Sequence, residues 1–515
     1  MSPSSVLRAQ VEPAPTGVIA TVEAAINSLF RPVAEALTSL VFFDVTVAGA
    51  TFPLIVGWLV LAGIVFTVVF RGIQIRGFGH GLALALGRYD RADDPGEVTH
   101  FQALATAVSG TVGLGNIAGV AVAVTLGGAG ATFWMIVAGL LGMCTKFVEC
   151  TLGVKYRETH EDGTVSGGPF RYLPVAFARL KVPFLAKALT GLFAVSIFSF
   201  GIAGGNMFQA NQAFAQFRNV TGGVDGPLGG DGAALGFGIA LAILVGVVIL
   251  GGISSIGRVT SKLVPAMALI YVAACLTVIA SKASELPTAI GNIIGGAFSP
   301  EGVAGGAVGV LIIGLQRAAF SNEAGVGSAA IAHSAAKTRH PVSEGFVALL
   351  EPFIDSVVVC TLTALTIVIA RPDSWLAARA VAAATGETSV DGVVLTSDAL
   401  VTVLPWFDIV LAIAVALFAF STLITWSYYS LKAWTHLFGR TPAKENIFKV
   451  IYCLFTVVGS VLSFNQVLGM ADALLFTCAL VNILGLYLLA PVVLQELRNY
   501  TAARKSGEVA PQPAE

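Results

Sequence analysis

Residues 106–135, TAVSGTVGLGNIAGVAVAVTLGGAGATFWM, are apolar enough to lie in a bilayer, yet Gly110, Gly113, Gly115 and Asn116 interrupt them midway. A glycine costs a helix interior roughly 1 kcal/mol against alanine, so three glycines and an asparagine in seven residues predict an unwound stretch. Hydrocarbon cannot hydrogen-bond free N–H and C=O groups. Non-helical backbone at membrane depth is tolerated only where it is buried in protein or lines a polar cavity. Such a break therefore points to a place where a chain holds a small polar solute near the bilayer midplane.

The rest of the 515-residue sequence fits that setting. Hydrophobic residues make up 56% and charged residues 11%, against about 25% charged in ordinary soluble domains. A formal net charge of −1 carries no sign of a nucleic-acid partner. Cys144, Cys150, Cys275, Cys360, Cys453 and Cys478 fall singly inside apolar stretches, without the paired spacing of a zinc site or a disulfide framework. The N-terminal residues lack the apolar core and cleavage site of a signal peptide. Residues 1–16 and the tail from Lys505 read as disordered, and residues 18–42 as an amphipathic surface helix.

A membrane-spanning helix needs about 20 mostly apolar residues. Eleven segments qualify, at 52–70, 102–125, 129–153, 187–216, 234–252, 257–281, 303–331, 342–370, 407–433, 446–464 and 469–496. The fold class is thus an all-α polytopic membrane protein with eleven transmembrane helices. Basic residues concentrate on alternate loops, for example Arg71, Arg76, Arg88 and Arg91 after the first segment and Lys155, Arg157, Arg171, Arg179 and Lys181 after the third. Loop 220–232 has none. Cytoplasmic loops carry the excess of Lys and Arg, which puts the N-terminus outside and the C-terminus in the cytoplasm.

The seventh segment, AVGVLIIGLQRAAFSNEAGVGSAAIAH, also breaks midway, at Ser321, Asn322, Glu323, Ala324 and Gly325. The two broken segments lie five helices apart, and five further segments complete the run. Segments two to six and seven to eleven can form two halves, inverted because five is odd. The expected organisation is a tail and amphipathic helix (1–51), an extra span with a basic loop (52–101), two five-helix repeats (102–281 and 282–496) and a cytoplasmic tail (497–515). A broken helix presents bare N–H groups with partial positive charge, suited to a carboxylate. It also presents bare carbonyls, suited to Na⁺ and an ammonium group. Both together suit a small zwitterion.

Several runs carry a more specific likeness: FQALATAVSGTVGLGNIAGVAVAVTLGGAGATFWMIVAGLLGMCTKFVECTLGVKYRE, DGTVSGGPFRYL at 162–173, GNMFQANQ at 205–212, FSNEAGVGSAAIAHSAAKTRHPV at 320–342, PFIDSVVVCTLTAL at 352–365 and FSTLITWSYYS at 420–430. They resemble the alanine/glycine:cation symporter family, the sodium:alanine symporters, over most of residues 53–495. The resemblance implies the leucine-transporter fold, a five-plus-five inverted repeat after one extra span, in the plasma membrane. It implies uptake of alanine or glycine coupled to Na⁺, or to H⁺ in some members, with no enzymatic activity. The chain departs from the family pattern at Leu114, Ile136 and Ala318, which bears on pocket shape.

Under that resemblance Gly113, Gly115 and Asn116 present amides to the substrate carboxylate; a close helix crossing is the alternative. Phe320 and Ser321 flank the second break. The Na⁺ ligands are carbonyls near Ser109 and Val112 with the hydroxyls of Ser421 and Thr422, unless those hydroxyls bond back to the preceding turn. Trp426, four residues past Thr422, shares its face and can wall the substrate side chain; a core or lipid-facing position is the alternative. Asn206 and Gln209, three apart, can both reach the substrate or can bond between helices. Arg317, Glu323 and Asp355 are intramembrane charges, which need a partner or a function. Arg317 can gate the outer side with a carboxylate, and Glu323 can bind a cation, take a proton or cap its half-helix. Glu351 and Asp355, four apart, should face the same way, with one protonated or paired with Arg317 or a cation. Lys146 and Glu149 read as a local interfacial pair. A channel lacks a filter-like sequence here, and His80, His100, His160, His333, His340 and His436, at segment ends or in loops, form no catalytic motif.

Overall fold

The structure, a computed structural model, describes residues 32, 35–36, 38–47, 50–91, 93–161, 163–230, 232–298, 306–386, 391–462 and 464–511. Most of the expected 18–42 helix lies outside the described residues. A short hairpin, Asp44–Val47 with Ala50–Pro53, leads into α1 (Leu54–Val69), whose start is fixed by Pro53 at its N-cap.

The interrupted second segment forms α2 (His100–Thr111), a π-helical turn (Gly115–Gly119) and α3 (Val120–Leu126), bent by 50° at the break. Thr99 and Gln102 close a reciprocal capping box at the start of α2. There follow α4 (Ala131–Lys155), α5 (Pro183–Ile202), α6 (Phe208–Val220), α7 (Ala233–Ile249) and α8 (Gly252–Ser281). A π-helical turn, Ala203–Met207, joins α5 to α6. The interrupted seventh segment gives α9 (Gly306–Asn322) and α10 (Ser328–His333). Then come α11 (Pro341–Ala348), a π-helical stretch (Phe353–Cys360) and α12 (Thr361–Ala370). The 371–406 loop contains two helices, Asp373–Thr385 and α13 (Gly392–Val401). The chain closes with α14 (Phe407–Phe438), α15 (Pro442–Val461) and α16 (Phe464–Lys505).

Among the described residues, six helical stretches are long and apolar enough to cross a membrane, and the bent pair α2–α3 makes a seventh. Large apolar side chains such as Val68, Ile243, Val247, Leu269 and Leu454 face outward, as lipid-facing residues do. The polar side chains turn inward instead, with Asn116, Lys146, Glu149, Gln212, Glu344, Glu351 and Asp355 all fully buried.

Glycines let the helices approach. Gly201 and Gly205 lie four apart and seat Trp426: a Cβ on Gly205 would fall 2.2 Å from its Cγ. The 371–406 loop is more structured than its sequence suggested. Its α13 packs on the first break, where Thr396 Oγ1 donates to the Ile117 carbonyl at 3.1 Å, and Gln212 Nε2 donates to Asp391 at 3.1 Å. Replacing Gly205 with alanine should destabilise the fold by about 1–3 kcal/mol, the usual cost of overpacking, because Trp426 Cβ and Cγ cannot swing aside. Equilibrium unfolding in detergent checks this; an unchanged midpoint would mean the contact is slack.

Candidate functional site

The first break follows from residue size. A Cβ on Gly113 would lie 2.5 Å from Thr422 Oγ1 and 3.2 Å from Gln209 Oε1, so only glycine fits. Asn116 Oδ1 accepts the Gly113 N–H at 3.1 Å, and Gln209 Oε1 accepts the Leu114 N–H at 3.1 Å. Two amides that the sequence left bare are thus held by side-chain carbonyls, which a bound carboxylate would have to replace. Gly115 packs against the Phe320 ring and Ser321.

The second break begins at Glu323, a non-glycine residue at φ 53°, followed by Gly325 and Gly327 at φ 91° and 99°. Side chains again take up its backbone. Asn322 Oδ1 accepts the Ala324 N–H at 3.0 Å, Glu149 Oε2 accepts the Gly325 N–H at 3.1 Å, and Asn482 Nδ2 donates to the Gly325 carbonyl at 2.9 Å. Glu323 accepts the Ser328 hydroxyl at 2.5 Å, which ties it to the first turn of α10.

One carboxylate joins the two breaks. Asp355 Oδ1 accepts from Asn116 Nδ2 at 2.6 Å, while Oδ2 accepts from Ser321 Oγ and Ser356 Oγ, each at 2.8 Å. Phe320 meets Phe208 edge-on at 5.3 Å, and Trp426 meets Phe200 at 4.7 Å, forming an aromatic boundary beside the breaks. A cavity lined by Gly63, Gly142, Thr145, Ala319, Asn322 and Ala324 opens beside the second break, and it does not include Gly113, Asn116 or Thr422.

Ser109, Ser421 and Thr422 come together as an oxygen cluster between α2 and α14. Ser109 Oγ donates to the Ser421 carbonyl at 2.7 Å and Thr422 Oγ1 donates to the Ser109 carbonyl at 2.9 Å. Thr425 Oγ1 joins at 3.1 Å from Ser109 Oγ. Sequence reasoning missed Thr425, although it lies four residues past Ser421 and so on the same face. The Ser421 hydroxyl bonds back to the Phe418 carbonyl at 2.9 Å, so Ser421 enters the cluster through its carbonyl. Val112 sits where α2 stops. Neutral oxygens of this kind suit a hard monovalent cation. Trp426 Nε1 donates to the Gly110 carbonyl at 3.2 Å.

Several sequence expectations are corrected. Asn206 and Gln209 do not act as a pair: Asn206 lies in the π-helical turn, whose wider repeat changes its direction, and donates to the Tyr452 carbonyl at 2.7 Å. Glu351 and Asp355 diverge for the same reason, because π-helical winding begins at Phe353 between them. Asp355 goes to Asn116 and Ser321; Glu351 goes to Lys146 at 3.1 Å and His333 at 2.7 Å. Lys146 and Glu149 are fully buried, not interfacial. Arg317 pairs with Asp472 on α16, with the Phe320 ring 5.4 Å from its guanidinium carbon. His100 and His333 are buried and both contact Glu344.

Two interrupted apolar helices, joined through a buried carboxylate inside a bundle of long apolar helices, define a multi-pass membrane protein of the transporter class. The pattern of the sodium:alanine symporter family matches residues 37–513, and the chain belongs to that family. Its members are cation-coupled amino-acid symporters, not enzymes. The chain is 36% identical over 459 residues to the sodium/alanine symporter AgcS of Methanococcus maripaludis, covering 88% of this chain and 95% of that protein. It is 31% identical over 461 residues to the probable sodium/glutamine symporter GlnT of Bacillus subtilis, covering 88% and 89%. The crystal structure of MhsT in complex with L-phenylalanine aligns with a TM-score of 0.51 at 15% identity, over 79% of this chain and 99% of that one. At that identity the likeness concerns the fold, which is leucine-transporter-like.

Removing Asp355 tests the junction. Asp355→Ala strands the Asn116, Ser321 and Ser356 donors in a dry interior, and each unsatisfied buried group costs about 1–3 kcal/mol. Thermal unfolding should show a clear loss for Asp355→Ala and a smaller one for Asp355→Asn, which keeps an acceptor; equal stability of all three would refute the junction.

Proposed function

We propose that this chain is a Na⁺-coupled symporter that carries a small neutral amino acid, alanine or glycine, into the cell by alternating access. The observation that carries this reading is the meeting of both helix breaks at Asp355, beside the oxygen cluster of Ser109, Thr422 and Thr425. On this reading the substrate carboxylate takes the amides at Gly113, Leu114 and Gly115. Gln209, Asn116 and Ser321 then turn to the rest of the zwitterion. Na⁺, the co-substrate, is held by the carbonyls of Ser109, Val112 and Ser421 and the hydroxyls of Thr422 and Thr425. The family name and the printed name of AgcS support sodium and alanine as the pair. Trp426 and Phe320 bound a small side chain, which favours alanine or glycine over glutamine, the amino acid in the name of GlnT.

The proposed arrangement in the membrane has eleven spans, an N-terminus outside and a C-terminus in the cytoplasm, with repeats at 102–281 and 282–496 after the extra span. The Arg317–Asp472 pair then lies on the outer half of the seventh span and acts as an extracellular gate. Glu323 sets the start of the inner half-helix. Na⁺ and amino acid prefer the same conformations, so each raises the affinity of the other by the same factor.

Uptake of labelled alanine into proteoliposomes should require an inward Na⁺ gradient, and equal uptake in choline buffer would defeat sodium coupling. Asn116→Ala should abolish alanine binding. Thr422→Ala should weaken the Na⁺ dependence at fixed alanine, and wild-type behaviour in either variant would remove that residue from the site.

A further inference from the structure

Away from the breaks, buried acids and bases alternate in an unbroken chain. His100 Nδ1 meets Glu344 Oε1, and Glu344 Oε2 meets His333 Nδ1. His333 Nε2 lies 2.7 Å from Glu351 Oε1, and Lys146 Nζ lies 3.1 Å from Glu351 Oε2. All five side chains are 3% exposed or less. At the other end His100 Nε2 lies 3.9 Å from Asp90 Oδ1, whose side chain is 39% exposed. Each carboxylate in the chain uses its two oxygens for two different bases, and His333 engages both of its ring nitrogens. A structural ion pair needs one contact per group; a run in which Glu344, His333 and Glu351 are each engaged on both sides can pass a proton along.

The charge balance points the same way. Four buried carboxylates, Glu149, Glu323, Glu344 and Glu351, stand near three bases, His100, His333 and Lys146. The three bases contact Glu344 and Glu351, so the one negative charge left over when the whole set is ionised falls on Glu149 and Glu323, beside the second break. An uncompensated buried charge is strongly disfavoured, and a bound proton relieves it. The other ionisable groups facing the chain are Cys150, Tyr172 and Tyr429 around Glu351 and Glu149, Asp355 beyond Glu323, and Arg157, Asp94 and Lys337 toward Asp90 and Glu344.

We infer that His100, Glu344, His333 and Glu351 form a proton-exchange path from the face bearing loop 71–99 to the second helix break. Each transfer breaks one N–H or O–H bond and forms another, with carboxyl rotation and imidazole turnover resetting the chain. The net result is one proton taken from water on the loop side and held on Glu351. Lys146 then loses its ion-pair partner and turns to Glu149, three residues along α4 and so on the same face. Glu149 holds the Gly325 N–H of the break, and the Gly327 amide also faces its carboxylate. Re-pairing Lys146 with Glu149 loosens the break, so the proton at Glu351 and the conformation of the solute site are linked. The inference rests on the symporter reading for its consequence in transport, and on the proposed orientation for placing the proton source in the cytoplasm.

Two measurements on the full-length protein test it. Infrared spectroscopy of purified protein in lipid should show a carboxyl C=O band that titrates with pH and vanishes in Glu351→Gln. Should that variant not fold because Lys146 is stranded, the double variant Lys146→Gln/Glu351→Gln supplies the same readout. In proteoliposomes of defined orientation, at fixed external pH and Na⁺ gradient, alanine uptake should change by about fivefold or more with pH on the loop side, the low end of ordinary coupling. His100→Gln should flatten that profile and keep the Na⁺ dependence. A band that survives in both Glu351 variants, or a wild-type pH profile in His100→Gln, overturns the path. Absence of any Na⁺-driven uptake by the wild type overturns the symporter reading instead, and the infrared band still decides the path.

Discussion

Backbone polar groups cannot be left bare in hydrocarbon, and most of this structure can be read as a response to two places where they would be. At each break the helix stops and side chains take over the ladder. Asn116 and Gln209 hold the amides of Gly113 and Leu114; Asn322, Glu149 and Asn482 hold Ala324 and both polar groups of Gly325. These five side chains come from five segments of the chain, so the breaks pin the bundle together as much as they interrupt it. Side-chain carbonyls are also exchangeable partners. A carboxylate can take their place without leaving the backbone unsatisfied, which is what a reversible binding site at membrane depth requires.

The same logic explains where the charges went. Asp355 is shared among Asn116, Ser321 and Ser356, and it links the two breaks through one residue. Glu351, one turn earlier in sequence, belongs to a separate set with Lys146 and His333. The π-helical winding from Phe353 separates them. The second α helix to carry such winding, around Asn206, likewise sends neighbouring amide side chains to different partners. Local over-widening of the helix therefore sorts polar residues into distinct networks at little cost in sequence.

Much of this was legible in the residues. The apolar segments coincide with helices, for example 129–153 with Ala131–Lys155 and 407–433 with Phe407–Phe438, because apolar runs of that length have few other ways to satisfy their backbone. Both breaks fell where glycine and asparagine clustered. What the sequence hid was partnership. Asp472 for Arg317, Glu351 for Lys146 and Glu344 for two histidines are contacts between residues far apart in the chain, and no spacing rule encodes them. The expectation that residues four apart share a face failed where the helix was not α-helical. Helices in the loops, such as Leu286–Gly296 and Gly392–Val401, were too short to stand out from polar surroundings.

The central claim is that the first break cradles the carboxylate of an amino acid. Solid-state NMR can read it as a dipolar coupling between ¹³C-carboxylate alanine and ¹⁵N-labelled glycine amides in the membrane-embedded protein. The account predicts a close carbon–nitrogen contact in the presence of Na⁺ that disappears when Gly113 and Gly115 are left unlabelled through residue-pair labelling. Alanine that binds in Na⁺ without any coupling to those two amides would contradict it.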